Sequence, residues 1–129
     1  MSEITFEEVG KLKVGRYVII DGHPCKITKI QTSAPGKHGH AKARIDAISL
    51  FDGSKHGFVK PTNVKVEVPI IDRRQAQVLT VSGNTVQLMD LQSYETFEAE
   101  LPEGMQVSGG ETIFYWVVLG RKLLKRADQ

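Results

Sequence analysis

The sequence predicts an all-β protein built as two small barrels in series. Three observations carry that prediction: short apolar runs that alternate with polar residues, turn-forming clusters between them, and a joint of proline and charged residues near the middle of the chain. A barrel closed from short strands buries one apolar face without a helix layer, which suits runs of this length.

In the first half, GRYVII (15–20) is rich in β-branched and aromatic residues, DGHP (21–24) supplies turn chemistry, and CKITKI (25–30) alternates, with Ile27 separated from Ile30 by polar positions. Thr32 to Lys42, TSAPGKHGHAK, holds no large apolar residue and is framed by strand-like segments. Ala41, Ala43, Ile45 and Ala47 then alternate with Lys42, Arg44 and Asp46, which puts the two basic residues on one face of a strand. Phe51 is followed by the turn DGSKHG, and FVK forms a strand that Pro61 closes. VKVEVPIIDRRQAQ (64–77) reads as the joint, because Pro69 cannot donate to a ladder and Asp72, Arg73 and Arg74 precede a new strand pattern. The boundary is expected near Ile71, with domains at 1–71 and 72–129.

The second half opens with QVLTV, SGN and TVQLMDL, a hairpin with a three-residue connection. Phe97, Ala99 and Leu101 alternate with Glu98 and Glu100, PEGMQVSGGE is a loop, and TIFYWVVLG is a continuous apolar strand. Strands of this kind fit an OB-type barrel. Phe114, Tyr115 and Trp116 sit in the apolar run and are expected in the core rather than as a stacking platform.

Composition narrows the function classes. The chain has 129 residues, no run of eighteen apolar residues, and an acidic N-terminus, MSEITFEEVG, with no hydrophobic stretch behind it. Neither a membrane span nor a signal peptide is expected, and the protein is placed in the cytoplasm. Cys25 is the only cysteine, which excludes an internal disulfide and a four-cysteine zinc site and fits a small buried residue. Between Gly22 and Lys65, eight basic residues face two acids; from Arg73 onward, six basic residues face seven acids. The basic half suggests attraction to phosphate, and plain solvation is the competing explanation.

The stretch TSAPGKHGHAK invites a chemical reading. Pro35 fits the second position of a β-turn and Gly36 the third position of a type II turn, so Lys37 follows the turn directly. Gly39 adds freedom beyond it, and the lysine should stand in solvent, either as a solubilising tip or as a functional handle. A P-loop fails here, because Gln31 and His38 occupy the positions that need glycine and Ser or Thr. His38 and His40, with His23, His56 or Cys25, lack the fixed spacing of a metal site, so no metal is expected. Catalysis by the lysine amine needs a pKa lowered by burial or a neighbouring cation, which an exposed tip does not provide. Hydrolysis of RNA by His38 or His40 lacks a second catalytic group at a defined spacing, so no enzyme activity is expected.

SAPGKHGHAK closely resembles the modification loop of the eukaryotic and archaeal translation initiation factor 5A family, in which the lysine between Gly36 and His38 becomes hypusine. The resemblance spans nearly the whole chain: KARI after the loop, VPIIDRR at the joint and QLMDLQSYETFE in the second domain. The short lead before GKLKVGRY is archaeal in type, and Pro35 departs from the eukaryotic loop in a way expected to stiffen the turn.

The resemblance implies an SH3-like first domain and an OB-fold second domain. It implies that deoxyhypusine synthase transfers the aminobutyl group of spermidine to Lys37, giving deoxyhypusine or, after hydroxylation, hypusine. Pro35, Gly36, His38, Gly39 and His40 would frame the loop, and no separate cofactor is implied. It further implies a monomeric factor that binds the ribosome near the E site and reaches toward the P-site tRNA to relieve stalling at consecutive prolines. Lys42 and Arg44 are candidate RNA contacts. A general single-stranded RNA-binding protein is the alternative from another class.

Overall fold

The structure, a computed structural model, describes residues 3–33 and 41–125. Its strands are β1 (Ile4–Glu8), β2 (Tyr17–Ile20), β3 (His23–Ser33), β4 (Lys42–Ser49), β5 (Lys55–Pro61), β6 (Lys65–Pro69), β7 (Asp72–Ser82), β8 (Thr85–Asp90), β9 (Thr96–Glu100), β10 (Thr112–Val118) and β11 (Arg121–Lys125), with one 3₁₀ turn at Val9–Lys11. Among the described residues the fold is all-β, as the periodicity required. The chain divides into two compact units, Met1–Ile70 and Ile71–Gln129.

In the first unit a four-stranded antiparallel sheet in the order β2-β3-β4-β5 is accompanied by the antiparallel pair β1-β6. Strand β4 sets the pattern: Ala43, Ile45, Ala47 and Ser49 are buried while Lys42, Arg44 and Ile48 are exposed. Ala43, Ile45 and Ala47 join Val18, Ile20 and Ile27 in the core, where burying an isoleucine side chain contributes about 1.5–3 kcal/mol. Ile27 and Ile30 lie three apart, an odd spacing that a regular strand would split between faces. A β-bulge corrects this: Ile27 pairs with Ala47 and Lys29 with Asp46, which leaves Thr28 as the extra residue and lets Ile30 pack against the same core. The Thr28 hydroxyl donates to the Asp46 carbonyl at 3.1 Å and fastens the bulge.

The sequence reading missed β1 and the 3₁₀ turn. Ile4 and Phe6 alternate, but acidic residues surround them and Phe6 stays 61% exposed, so the apolar signal is weak. The turn is held instead by tertiary backbone bonds, from Val9 N–H to the Val64 carbonyl and from Gly10 N–H to the Thr62 carbonyl, both 2.9 Å. Strand β5 also starts earlier and ends later than FVK, and Pro61 is its last residue.

The second unit is one five-stranded antiparallel sheet in the order β11-β10-β7-β8-β9. Its core holds Ala76, Val78, Val86, Leu88, Ile113, Tyr115 and Leu124, with Phe97, Ala99 and Leu101 packed against it. The β7–β8 connection has two residues, Gly83 and Asn84, because Ser82 pairs with Thr85. This corrects the three-residue SGN expectation: Gly83, at φ 63°, takes the first central position, where a type II′ turn places its glycine. Strand β11, RKLLK, was also missed, since its basic flanks hide a pattern that only Leu124 carries into the core.

Asp90 ties the sheet to the following turn. Its carboxylate accepts from Arg74 Nε at 2.7 Å and Nη2 at 3.0 Å, from the Gln92 and Ser93 amides at 2.8 Å each, and from the Tyr115 hydroxyl. With five donors around a buried carboxylate, chiefly the Arg74 guanidinium, its pKa is held far below the ordinary carboxylate value. Burial, with the Asp90 bond second, pushes the Tyr115 hydroxyl up to about 12.

Candidate functional site

The end of the first unit that carries TSAPGKHGHAK is built by the β3–β4 pair. Thr32 pairs with Ala43 and Ser33 with Lys42, and the Ser33 hydroxyl donates to the Lys42 carbonyl at 3.3 Å. On the far side, Thr62 N–H donates to the Ala41 carbonyl at 2.9 Å. Both flanks of the connection are therefore fixed to the sheet. Pro35, Gly36, Lys37, His38, Gly39 and His40 lie outside the described residues, and the type II turn expected there lies outside them too.

Lys42 and Arg44 are described, and both project from the solvent face of β4, as the alternation required. The register reveals more basic residues on that face than the sequence reading collected. Residues directly opposite in an antiparallel ladder share a face, so Gln31, Arg44 and Val59 form one row, Lys29, Asp46 and Gly57 the next, and Lys26, Ile48 and Lys55 a third. Lys26, Lys29 and Lys55 thus extend the face begun by Lys42 and Arg44, with rows about 7 Å apart along the strands. Lys29 reaches this face only because of the bulge at Thr28, which simple alternation from Ile27 does not foresee. Asp46 is the acid among them, 3.6 Å from Arg44 Nε. That pair is largely solvent-exposed and contributes about 1 kcal/mol or less, so the face keeps its positive character.

At the other end of the sheet, His23 and His56 stack with ring centroids 4.5 Å apart. His56 Nε2 lies 2.7 Å from Ser54 Oγ, which in turn donates to Asp52 at 2.6 Å. The Ser54 hydroxyl, and then its amide, lower the Asp52 carboxyl to about 2. Cys25 is fully buried, and burial raises its thiol pKa. Among the described residues no three His, Cys, Asp or Glu side chains are grouped to hold a metal, and no described helix is long and apolar enough to cross a membrane.

In the second unit, Tyr115 belongs to the core as expected, and Trp116 is only 6% exposed. Arg73 and Lys125 lie over the Trp116 ring, at 4.7 and 4.4 Å from its centroid, so the indole is not a free stacking surface. Phe114 is half-buried on the same face.

A family model described as translation initiation factor 5A-like, N-terminal, matches residues 2–64. Translation initiation factor 5A of Thermococcus kodakarensis is 48% identical over 132 aligned positions, covering 98% of this chain and 97% of that protein. The Methanothermobacter thermautotrophicus factor of the same name is 54% identical and covers 92% and 93%. Among solved structures, eukaryotic translation initiation factor 5A from Methanococcus jannaschii superposes with a TM-score of 0.93 at 49% identity, covering 98% of both chains. A factor of this family from Naegleria fowleri gives a TM-score of 0.79 at 32% identity. The agreement runs through both units, so the SH3-like and OB-type folds, and the translation-factor role that goes with them, extend over the whole chain. With the fold, the flanks of the lysine loop and the relatives in accord, the chain belongs to the translation initiation factor 5A family.

Proposed function

We propose that this chain is a ribosome-bound translation factor whose Lys37, converted to deoxyhypusine or hypusine, acts as an arm that positions the P-site tRNA. The observation that supports the proposal is that Gly36-Lys37-His38 falls in sequence between the paired strands β3 and β4, the second of which carries Lys42 and Arg44 on its exposed face. Deoxyhypusine synthase transfers the aminobutyl group of spermidine to the Lys37 amine, and hydroxylation completes hypusine where the cell performs it. Pro35, Gly36, His38, Gly39 and His40 shape the loop for the modifying enzyme and the ribosome.

The factor docks near the E site in the cytoplasm as a monomer. Its longer arm, carrying two amines, follows a phosphate-lined path toward the acceptor end of the tRNA. Orienting that end lowers the entropic barrier to peptide-bond formation at stalled sites such as consecutive prolines, while the catalytic centre remains the ribosome's. The protein itself catalyses no reaction and needs no cofactor.

The mass of the Lys37 peptide, taken from protein purified out of its native cells, tests this directly. An added aminobutyl group, with or without a hydroxyl, is expected; unmodified lysine at full occupancy would sink the mechanism. The basic face favours one second reading, a general single-stranded RNA binder. Lys37→Arg keeps the charge and would leave such binding nearly intact, whereas it should abolish the activity of a modification-dependent factor.

A further inference from the structure

The outer face of β7 and β10 carries a cleft whose lining residues all belong to the second unit. Trp116 pairs with Arg73 and Phe114 with Gln75, and residues two apart on a strand share a face, so these four side chains stand together opposite the core. Leu91 and Gln92 close the side, in the turn fixed by Asp90, and the cleft encloses about 550 Å³. That volume lies within the ordinary range of small-ligand pockets.

The chemistry of its walls is uneven. Arg74 is consumed by Asp90 and Asp72. Arg73 differs: its guanidinium lies over Trp116 at 4.7 Å, yet it has no carboxylate or other hydrogen-bond acceptor among the described residues. Stacking orients the guanidinium while its N–H groups remain available, which is the state in which arginine takes a phosphate by two parallel bonds. The side-chain amides of Gln75 and Gln92 likewise have no partner among the described residues, and an amide offers both a donor and an acceptor to a base edge. With Trp116 covered, Phe114 is the aromatic wall left for a base to rest on.

We infer that this cleft binds one nucleotide unit of single-stranded RNA, with the phosphate on Arg73, the base against Phe114 and its edge on Gln75 and Gln92. OB-folds take oligonucleotides on the face of their second and third strands, which are β8 and β9 here, so the cleft over β7 and β10 is a separate place. The choice of polymer rests on the reading of the chain as a translation factor.

Trp116 is the only tryptophan in the chain and touches the key residue, so its emission reports the site. Unmodified full-length protein is titrated at low salt with a short oligoadenylate, while anisotropy of labelled RNA follows total binding. A saturable emission change is expected, its midpoint weakened about tenfold or more by Arg73→Gln, as for loss of one charge-assisted contact. Arg73→Lys should fall between, since it keeps the charge and loses the fork. Lys42→Gln with Arg44→Gln should lower total binding, and Arg73→Gln should weaken the emission midpoint further in that background. RNA binding without an emission change, no binding at all, or an unchanged midpoint in Arg73→Gln would each overturn the inference. So would oligoglutamate reproducing the RNA titration, since charge alone would then account for it. Because Lys37 is unmodified throughout, failure here is distinct from failure of the modification mechanism.

Discussion

Asp90 shows how much one residue can hold. Removing its charge leaves Arg74 only the more exposed Asp72 as an ionic partner among the described residues, at 3.2 Å, and breaking a buried pair typically costs 3–5 kcal/mol. Arg74 keeps 22% of its side-chain surface in solvent, so Asp90→Asn should cost about 3 kcal/mol at neutral pH, read by urea unfolding. Its depressed pKa gives stability that is complete above the unfolded value of about 3.9 and lost as pH falls toward the folded value. The gap between wild type and Asp90→Asn should therefore narrow steadily below about pH 4. Four residues on, Tyr94 sits at φ 63° with 70% of its surface exposed, a backbone region costly for a bulky side chain. Tyr94→Gly should raise stability by about 1 kcal/mol in the same assay, the relief of strain exceeding glycine's entropic penalty. Neither residue announced its role in sequence. MDLQSY carries no period that marks its aspartate as buried, and the left-handed tyrosine stands where glycine or asparagine would have signalled the turn.

At the scale of the element, the strand pair β4–β5 joins stability to charge presentation. A Cβ on Gly57 would stand 2.9 Å from the Ile45 carbonyl and 3.1 Å from Asp46 Oδ1. Gly57→Ala should therefore destabilise the first unit by about 1–3 kcal/mol, with faster amide exchange along β4 and β5 as the readout. Lys42→Gln with Arg44→Gln should keep the fold and lower the slope of log affinity against log salt for single-stranded RNA by about 1–2 units. An unchanged slope would mean that these residues are merely solvated. Alternation placed Lys42 and Arg44 correctly on one face, because β4 is regular from end to end. It did not gather Lys26, Lys29 and Lys55 with them, since a bulge and a cross-strand register are properties of two chain segments at once.

At the scale of the whole molecule, the all-β class was legible because turn residues and strand periodicity act locally. Strands β1 and β11 were not legible, since their apolar content is low and partners distant in sequence supply their order. Lys37→Arg tests the division of labour between fold and function. Its unfolding midpoint should equal that of wild type, while a reporter with consecutive prolines, translated with protein modified in its native cells, should lose its dependence on the factor. A lowered midpoint would make the lysine a structural residue instead.

The burial of Cys25 has a practical corollary. The sole thiol lies sealed in the first core, and its raised pKa keeps it from ionising, so the native protein should be almost silent toward alkylating reagents. A cysteine introduced as Lys37→Cys would then be the one reactive sulfur. Haloalkylamines of graded chain length would convert it into synthetic arms of chosen reach and charge, turning the question of what the natural modification contributes into a dose–length curve.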